Sequence, residues 1–584
     1  DLATASIRGA TSAETPVYLA GVRINDDVTG TADLSRVPLW MIEKVEIYRG
    51  TPPLDADRLG IGGAVFFDPS WPKGPRAGGG ALAGSFGERA GWVGAASGDA
   101  QASALVAVRV ATAENDYLYL DDNGTRFDPS DDVLRRRRNA DATDVDAWSL
   151  ARARLGRAEV TSVVNAFHRD QGVTGLGLVP ARAARAAVER LLAGVTARAP
   201  CSAEGGERCR GELTTTALLG GQTIDDPLRE LGLLTPRLHE GGARVGEAAR
   251  GFYRVSDALA LSAAGGEEIE ELAIDAAGTP LPLRARRVTS RLAAEATWDA
   301  APWLELVGLG GFACEATEAS AAEGTPPESD GACGTAEPTA RVGARVRLGV
   351  VATLLANVGR YVRAPTLGEL YGTSAAVRGN PSLSPETGYL VDAGARATAS
   401  SGRAAASVEL VGFARAASDL IAYQRSELGV VRPYNVGAAR VLGAEVAFAV
   451  RAFDCVRADL ALTALDPRDT TPGRTLANDL LPFQARLVAV PSIELYRDHV
   501  ASIVDRASVL ARYAYRASRV ADPAGLVVLP AENELDVEVA VFELGRRLAE
   551  RLSITDVTDA RNYDVLGLPL PGRAVHASVE AWWW

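Results

Sequence analysis

The stretch GLPLPGRAVHASVEAWWW, residues 567–584, decides the fold. By parity, Val575, Ala577, Val579, Ala581 and Trp583 fall on one face, and His576, Ser578 and Glu580 fall on the other. Period-two alternation marks a strand lying between two different environments. The apolar face runs to the last residues, where a soluble domain ordinarily frays into polar chain. Something apolar must receive it.

The bulk properties narrow what that can be. At 584 residues the chain is too long for one ordinary soluble core, so several domains or one very large barrel is expected. Apolar residues make up 47% of the chain and mean hydropathy is +0.02. No run approaches the ~18 uncharged apolar residues of a membrane helix, which excludes a helical inner-membrane protein. A net charge of −13 and a pI near 5.1 argue against nucleic acid as a partner. The opening DLATASIRGA has neither the basic nor the apolar region of a signal peptide; a mature or trimmed chain would read the same.

From about residue 75 onward one pattern repeats: strand-like stretch, short turn, strand-like stretch, long polar loop. Arg341, Arg345 and Arg347 alternate with Val342, Ala344, Val346 and Leu348, and Leu535, Val537, Val539 and Val541 with Asp536 and Glu538. A soluble sandwich also alternates; the asymmetry of the connections separates the two cases. Short turns at 298–303, 399–404 and 451–454 take turns with long loops at 315–336, 417–439 and 465–483. One short-turn rim and one long-looped rim is the layout of an outer-membrane β-barrel, with the long loops outside. Twenty-two strands would leave roughly 23 residues per strand and connection, comfortable for membrane strands of ~10 residues. A barrel that wide needs a plug.

ARAARAAVERLLAGVTARAPC (181–201) has helix-forming composition, but the short gap before CRGELTTTALLG favours a strand hairpin pinned by Cys201 and Cys209. Cys314 and Cys333 form a second local pair across a polar loop. Neither pair has CxxC spacing and the four histidines are scattered, so disulfides made in an oxidising compartment are expected rather than zinc. Cys455 is left over and reads as a small turn residue. The first 74 residues differ: PVYLAGVRIN, IEKVEIYRG and GIGGAVFFDP are short strands among glycines and prolines, and DLSRVPLWMIEKVEIY holds a brief helix before a strand. The expected architecture is therefore all-β, a large antiparallel barrel at 75–584 with a small mixed α/β plug domain at 1–74.

Several blocks resemble, in order, those of the TonB-dependent outer-membrane receptors. IRGA, PVYLAGVRIND, DLSRVPLWMIEKVEIYRGTPP and GIGGAVFFDP resemble the plug. YVRAPTLGELYG with GNPSLSPETG, then NVGAARVLGAEVAFAV, and finally the closing strands resemble the barrel. The resemblance implies that the chain starts inside the plug, with a signal peptide and the TonB-binding segment upstream of Asp1. It implies a closing aromatic on the lipid face, read by the barrel assembly machinery; parity gives that place to Trp583. It also implies that two plug arginines, Arg8 and Arg49, meet two barrel glutamates, Glu386 and Glu445. Such pairing is chemically sensible, since a lumen glutamate shielded from water is costly unless paired and arginine is an always-charged bidentate partner.

Within DYLYLDDNGTRFDPSDD (116–132), Asp121, Asn123 and Asp128 could ligate Ca²⁺; the competing reading is an acidic turn. RRRR (135–138) could hold an anion or a lipopolysaccharide phosphate, or be a solvated charge run. No histidine lies between Tyr361 and Glu386, where haem receptors of the family carry a ligand. No enzyme constellation is present: no GxSxG, HExxH or P-loop. The expectation is a monomeric receptor of the bacterial outer membrane that takes up a scarce small-molecule or metal-chelate ligand, foremost a ferric siderophore, with work supplied by TonB. Cobalamin or another small nutrient is the alternative ligand, and a passive or structural barrel the alternative class.

Overall fold

The computed structural model of the chain describes residues 3–26, 28–49, 54, 62–121, 123, 128–175, 180–201, 208–231, 235–276, 283–320, 328–329, 333–372, 378–425, 431–565 and 568–583. The alternating stretches become an antiparallel meander that closes on itself. The final strand, Ala574–Trp583, pairs with the first barrel strand, Arg76–Gly84, through Val579 opposite Ala81 and Trp583 opposite Ala77. Among the described residues the ring counts 22 full strands. Closure leaves no unpaired strand edge, the condition for spanning lipid with strands.

Parity along the closing strand holds in three dimensions. Val575, Val579 and Trp583 are exposed on the outer wall at 43%, 42% and 64%, while Trp582 is buried in the lumen. The tail is thus divided between two environments, with Trp583 outward and Trp582 inward; Trp584 lies outside the described residues.

Connections at 99–101, 156–157, 257–258, 302–303, 349–351, 402–403 and 453–455 are tight and share one rim. Those at 114–141, 173–184, 226–236, 364–385, 470–486 and 556–573 are long and share the other. Two expected loops shorten. Strands Ala404–Arg425 and Val431–Ala452 carry hairpin pairing through most of 417–439, and Leu304–Ser320 and Thr335–Leu348 flank the loop at 315–336. Alternation continues past what a membrane crossing needs, so these walls project beyond it. The ambiguous 181–201 segment is strand Arg185–Pro200, hairpinned to Cys209–Asp225. Disulfides join Cys201 to Cys209 on the short-turn rim and Cys314 to Cys333 on the long-loop side, and Cys455 is a free thiol in the 453–455 turn.

Residues before the barrel form a four-stranded sheet: β1 (Val17–Leu19), β2 (Val22–Arg23), β3 (Ile42–Tyr48) and β4 (Ala64–Pro69), in the order β2-β1-β4-β3, with β1 and β4 parallel. Short 3₁₀ turns at Leu34–Arg36 and Leu39–Met41 precede β3, and Asp33 caps the first by accepting the Ser35 N–H. The main apolar core is the seam between this sheet and the wall. Val17, Leu19, Val22, Ile24, Met41 and Phe67 pack against Leu105, Trp148, Leu150, Val163, Leu192 and Leu218. Wall glycine makes the approach possible: a Cβ on Gly194 would stand 2.4 Å from Val22. At the base, the plug's Trp40 enters a socket with Trp92 and Trp582, ring centroids 6.1 and 4.8 Å away.

Candidate functional site: the plug–barrel lock

The IRGA block is a turn with both central residues left-handed, Arg8 at φ 56° and Gly9 at φ 74°, closed by the Ala10 N–H donating to Ile7 O. That is the geometry of a type I′ turn, which glycine accepts freely and arginine does not. It aims Arg8 at the wall. Arg8 Nε donates to Glu445 Oε2 at 3.0 Å and Nη1 to Asp392 Oδ2 at 3.3 Å, with the guanidinium 5.0 Å from the Phe413 ring centroid. Gly443, two residues before Glu445, leaves room for that ring: a Cβ there would stand 2.3 Å from it.

Six residues further on, Glu14 ends the 3₁₀ turn Ser12–Glu14, its Oε2 accepting the Thr11 N–H and hydroxyl. Its Oε1 accepts from Arg415 Nη2 at 3.1 Å, and the same nitrogen donates to Glu386 Oε1. Tyr361 Oη donates to Glu386 Oε1 at 2.7 Å and accepts from Arg415 Nε at 3.0 Å, while the Ile421 N–H donates to Glu386 Oε2. Burial pushes the Glu14 carboxyl up, but Arg415 and Arg363, aided by the Thr11 hydrogen bonds, outweigh it and hold Glu14 below its ordinary range. Next to this junction the YVRAPTLGELYG block forms the helix Leu367–Tyr371. Thr366 and Glu369 make a reciprocal cap there, and Arg363 and Tyr423 bind Glu369.

Of the four residues expected to form the lock, the structure brings Arg8 to Glu445. It does not bring Arg49 to Glu386. Glu386 is fully engaged by Arg415, Tyr361 and the Ile421 amide, whereas Arg49 reaches Glu409, 3.1 Å away and roughly a third exposed. The deep second contact runs with reversed polarity: the plug supplies the acid, Glu14, and the wall the base, Arg415. A third contact joins Arg23 to Glu268 at 2.7 Å. Sequence reasoning missed Glu14, Asp392, Arg415, Arg23 and Glu268. Only Glu14 carried a local signal, the Thr11-x-x-Glu14 cap pattern.

The calcium candidates make contacts within their own hairpin. Asp121 is ion-paired to Arg135, Asn123 accepts from Arg135 and donates to Asp131 O, and Asp128 caps the 3₁₀ turn Pro129–Asp131. Of the arginine run, Arg135 pairs with Asp121 and Arg136 with Asp116. Among the described residues no group of three or more His, Cys, Asp or Glu could hold a metal. Between the plug and the wall lies a cavity of about 190 Å³, lined by Arg23, Asp26, Arg244, Arg287 and Arg363.

A family model of the TonB-dependent receptor plug domain matches residues 1–64, and one of the TonB-dependent receptor-like β-barrel matches 263–546. Comparison with curated proteins finds no match. Among solved structures, the chain is similar to the copper transporter OprC at TM-score 0.77 and 15% identity, covering 99% of this chain and 92% of that one. It is similar to the FrpB iron transporter from Neisseria meningitidis at TM-score 0.74 and 12% identity, covering 98% and 92%. It is also similar to the ferric yersiniabactin uptake receptor FyuA from Yersinia pestis at 0.72 and 13%, covering 98% and 89%. These proteins are receptors and transporters rather than enzymes. With a matching plug, a matching barrel and the 22-strand closed ring around them, the chain belongs to the TonB-dependent receptor family of the Gram-negative outer membrane.

Proposed function

We propose that this receptor captures a ferric siderophore at the long-loop rim and imports it with work delivered through TonB to the plug. The observation that carries this reading is the lock itself. Arg8, Glu14 and Arg23 tie the plug to the wall through buried ion pairs. Breaking a buried pair costs ~3–5 kcal/mol, so thermal motion alone opens the pore rarely and an external pull is called for. Several similar structures are named for ferric or siderophore ligands, one for copper. The division into plug 1–74 and barrel 75–584, the barrel assembly machinery as reader of Trp583, lipopolysaccharide around the wall and a monomeric state belong to the same proposal.

The test is growth of an iron-starved Gram-negative host lacking its own siderophore receptors. Expression of the receptor is expected to restore growth on ferric siderophores only when TonB is intact. Equal uptake with and without TonB would make the barrel passive. Tight binding of copper or cobalamin without binding of any iron chelate would move the ligand class.

A further inference from the structure

Beyond the lock, the plug meets the wall at a second polar junction. Gly220 and Gly242 are register partners on the adjacent strands Cys209–Asp225 and Arg237–Ser256, and they make room for the plug turn after β2. Asp26 Oδ2 lies 3.7 Å from where a Gly220 Cβ would stand, and Val28 lies 2.9 Å from that of Gly242. The next inward-facing pair toward the long-loop rim is Gln222 opposite Glu240. Directly opposed residues share a face with Cβ atoms about 5 Å apart, so both flank the Asp26 turn.

Glu240 is only 7% exposed, and among the described residues its carboxylate has no hydrogen bond or ion pair. The charge that acts on it is Asp26's. Asp26 spends Oδ1 on the N–H groups of Val28 and Thr29 and on the Thr29 hydroxyl, leaving Oδ2 toward the wall. The Gln222 amide is likewise unpartnered among the described residues. Arg190, whose charge reaches Asp26, spends Nη1 on Ile24 O and Nη2 on Asn165 and pairs with neither carboxylate.

Two neighbouring carboxylates, one of them buried, repel unless one holds a proton or both hold an ion. The donor set suits an ion: carboxylate oxygens from two residues and an amide oxygen from a third are the hard ligands that Ca²⁺ and Mg²⁺ take, with water filling the remaining positions. Asp26 also lines the cavity between plug and wall, which supplies an entry path. We propose that Glu240, Asp26 and Gln222 form a hard divalent-cation site that clamps Asp26 of the plug to the wall. With two carboxylates its affinity belongs to the weak range of extracellular calcium modules, ~10⁻⁴–10⁻³ M.

The experiment is hydrogen exchange of the turn around Asp26 in the full detergent-solubilised receptor, with Ca²⁺ titrated and Mg²⁺ in parallel. Protection is expected to half-saturate at ~0.1–1 mM Ca²⁺. It should weaken at least ~10-fold in Glu240→Gln and in Asp26→Asn, tighten in Gln222→Glu, and be unchanged in Asp121→Asn, which lies on the loop hairpin. Protection indifferent to cation in the wild type, or a titration unchanged by Glu240→Gln, would overturn the site. So would a cation-free Glu240→Gln protein already as protected as the loaded wild type, because the occupant would then be a proton. Should Asp26→Asn disturb the turn that its Oδ1 braces, Gln222→Glu still decides the matter.

Discussion

Replacing Arg415 by alanine is the sharpest probe of the lock. Arg415 stands between Glu14 at 3.1 Å, Tyr361 Oη at 3.0 Å and Glu386, and its removal orphans two carboxylates that are 6% and 0% exposed. Losing one partner of a buried pair costs ~3–5 kcal/mol, so two orphans place this substitution at the top of that range. Glu14→Gln is gentler. Its one remaining oxygen can accept from Arg415, which retains Glu386, but its amide nitrogen then faces the Thr11 N–H that Oε2 accepted, so the cost is ~1–3 kcal/mol. Once Glu14 is neutral, Arg415→Ala strands only one acid at the plug seam, so the double variant should fall short of the sum by ~1–3 kcal/mol. Arg49→Ala removes a pair roughly a third exposed and worth ~0.2–1 kcal/mol after solvent screening. Combined with Glu386→Ala it should be additive, because the two side chains do not meet. The readout is plug hydrogen exchange across a urea series, with heat-modifiable migration reporting that the barrel stays closed. If Glu14→Gln costs as much as Arg415→Ala, or if the pair is strictly additive, the reversed contact is not what holds this part of the plug.

Acid should loosen the same contact. Because the folded Glu14 carboxyl is held below its ordinary value of 4.5, its contribution is full above that pH and is lost as pH falls through the folded value. Plug protection should therefore be level near neutrality and fall below about pH 4.5, with the Glu14-dependent part absent in Glu14→Gln. At the base, Gly94→Val should expel Trp40, since a Cβ on Gly94 would stand 2.5 Å from its ring; a red shift in tryptophan emission and faster exchange around Leu39–Met41 would report it, and an unchanged spectrum would refute it. Each disulfide should contribute ~2–4 kcal/mol, and non-reduced protein should show one free thiol, Cys455. After mild reduction of intact cells, an impermeant thiol reagent should reach Cys314 and Cys333 but not Cys201 and Cys209; labelling of the second pair alone would invert the barrel.

The barrel was legible because its determinants are local and repeat. Val575, Val579 and Trp583 declare the outer face by parity alone, and turns as short as 402–403 declare one rim. The 417–439 loop was misjudged because membrane thickness sets only a minimum strand length. Nothing in VRPYNVGAAR says that pairing stops at the lipid, and Val431 to Ala452 runs on. The plug seam was illegible for a different reason. That Gly194 receives Val22 and Gly94 receives Trp40 depends on how the sheet is rotated inside the ring, and no spacing along the chain encodes that rotation.

The same distinction explains why one half of the lock could be read and the other could not. Arg8 and Glu445 each sit in a motif whose backbone aims the side chain: a left-handed Arg-Gly turn, and a strand whose Gly443 opens space for Phe413. Glu386 is also aimed inward, at the head of strand Glu386–Ser401, but three donors compete for it, and the wall's own Arg415 is nearer in the ring than any plug arginine. Arg415 comes from the adjacent strand, opposite Leu390. It is therefore fixed by the barrel before any plug is present, and as a buried cation it can satisfy Glu386 and still accept a second acid. The plug then completes the site by bringing a carboxylate rather than a guanidinium. The hydrogen-bonding capacity that Arg415 still offers, not the identity of either motif, selects Glu14, since Glu386 already accepts from three donors. Polarity at such a seam should accordingly follow whichever hydrogen-bonding group the wall leaves with capacity to spare.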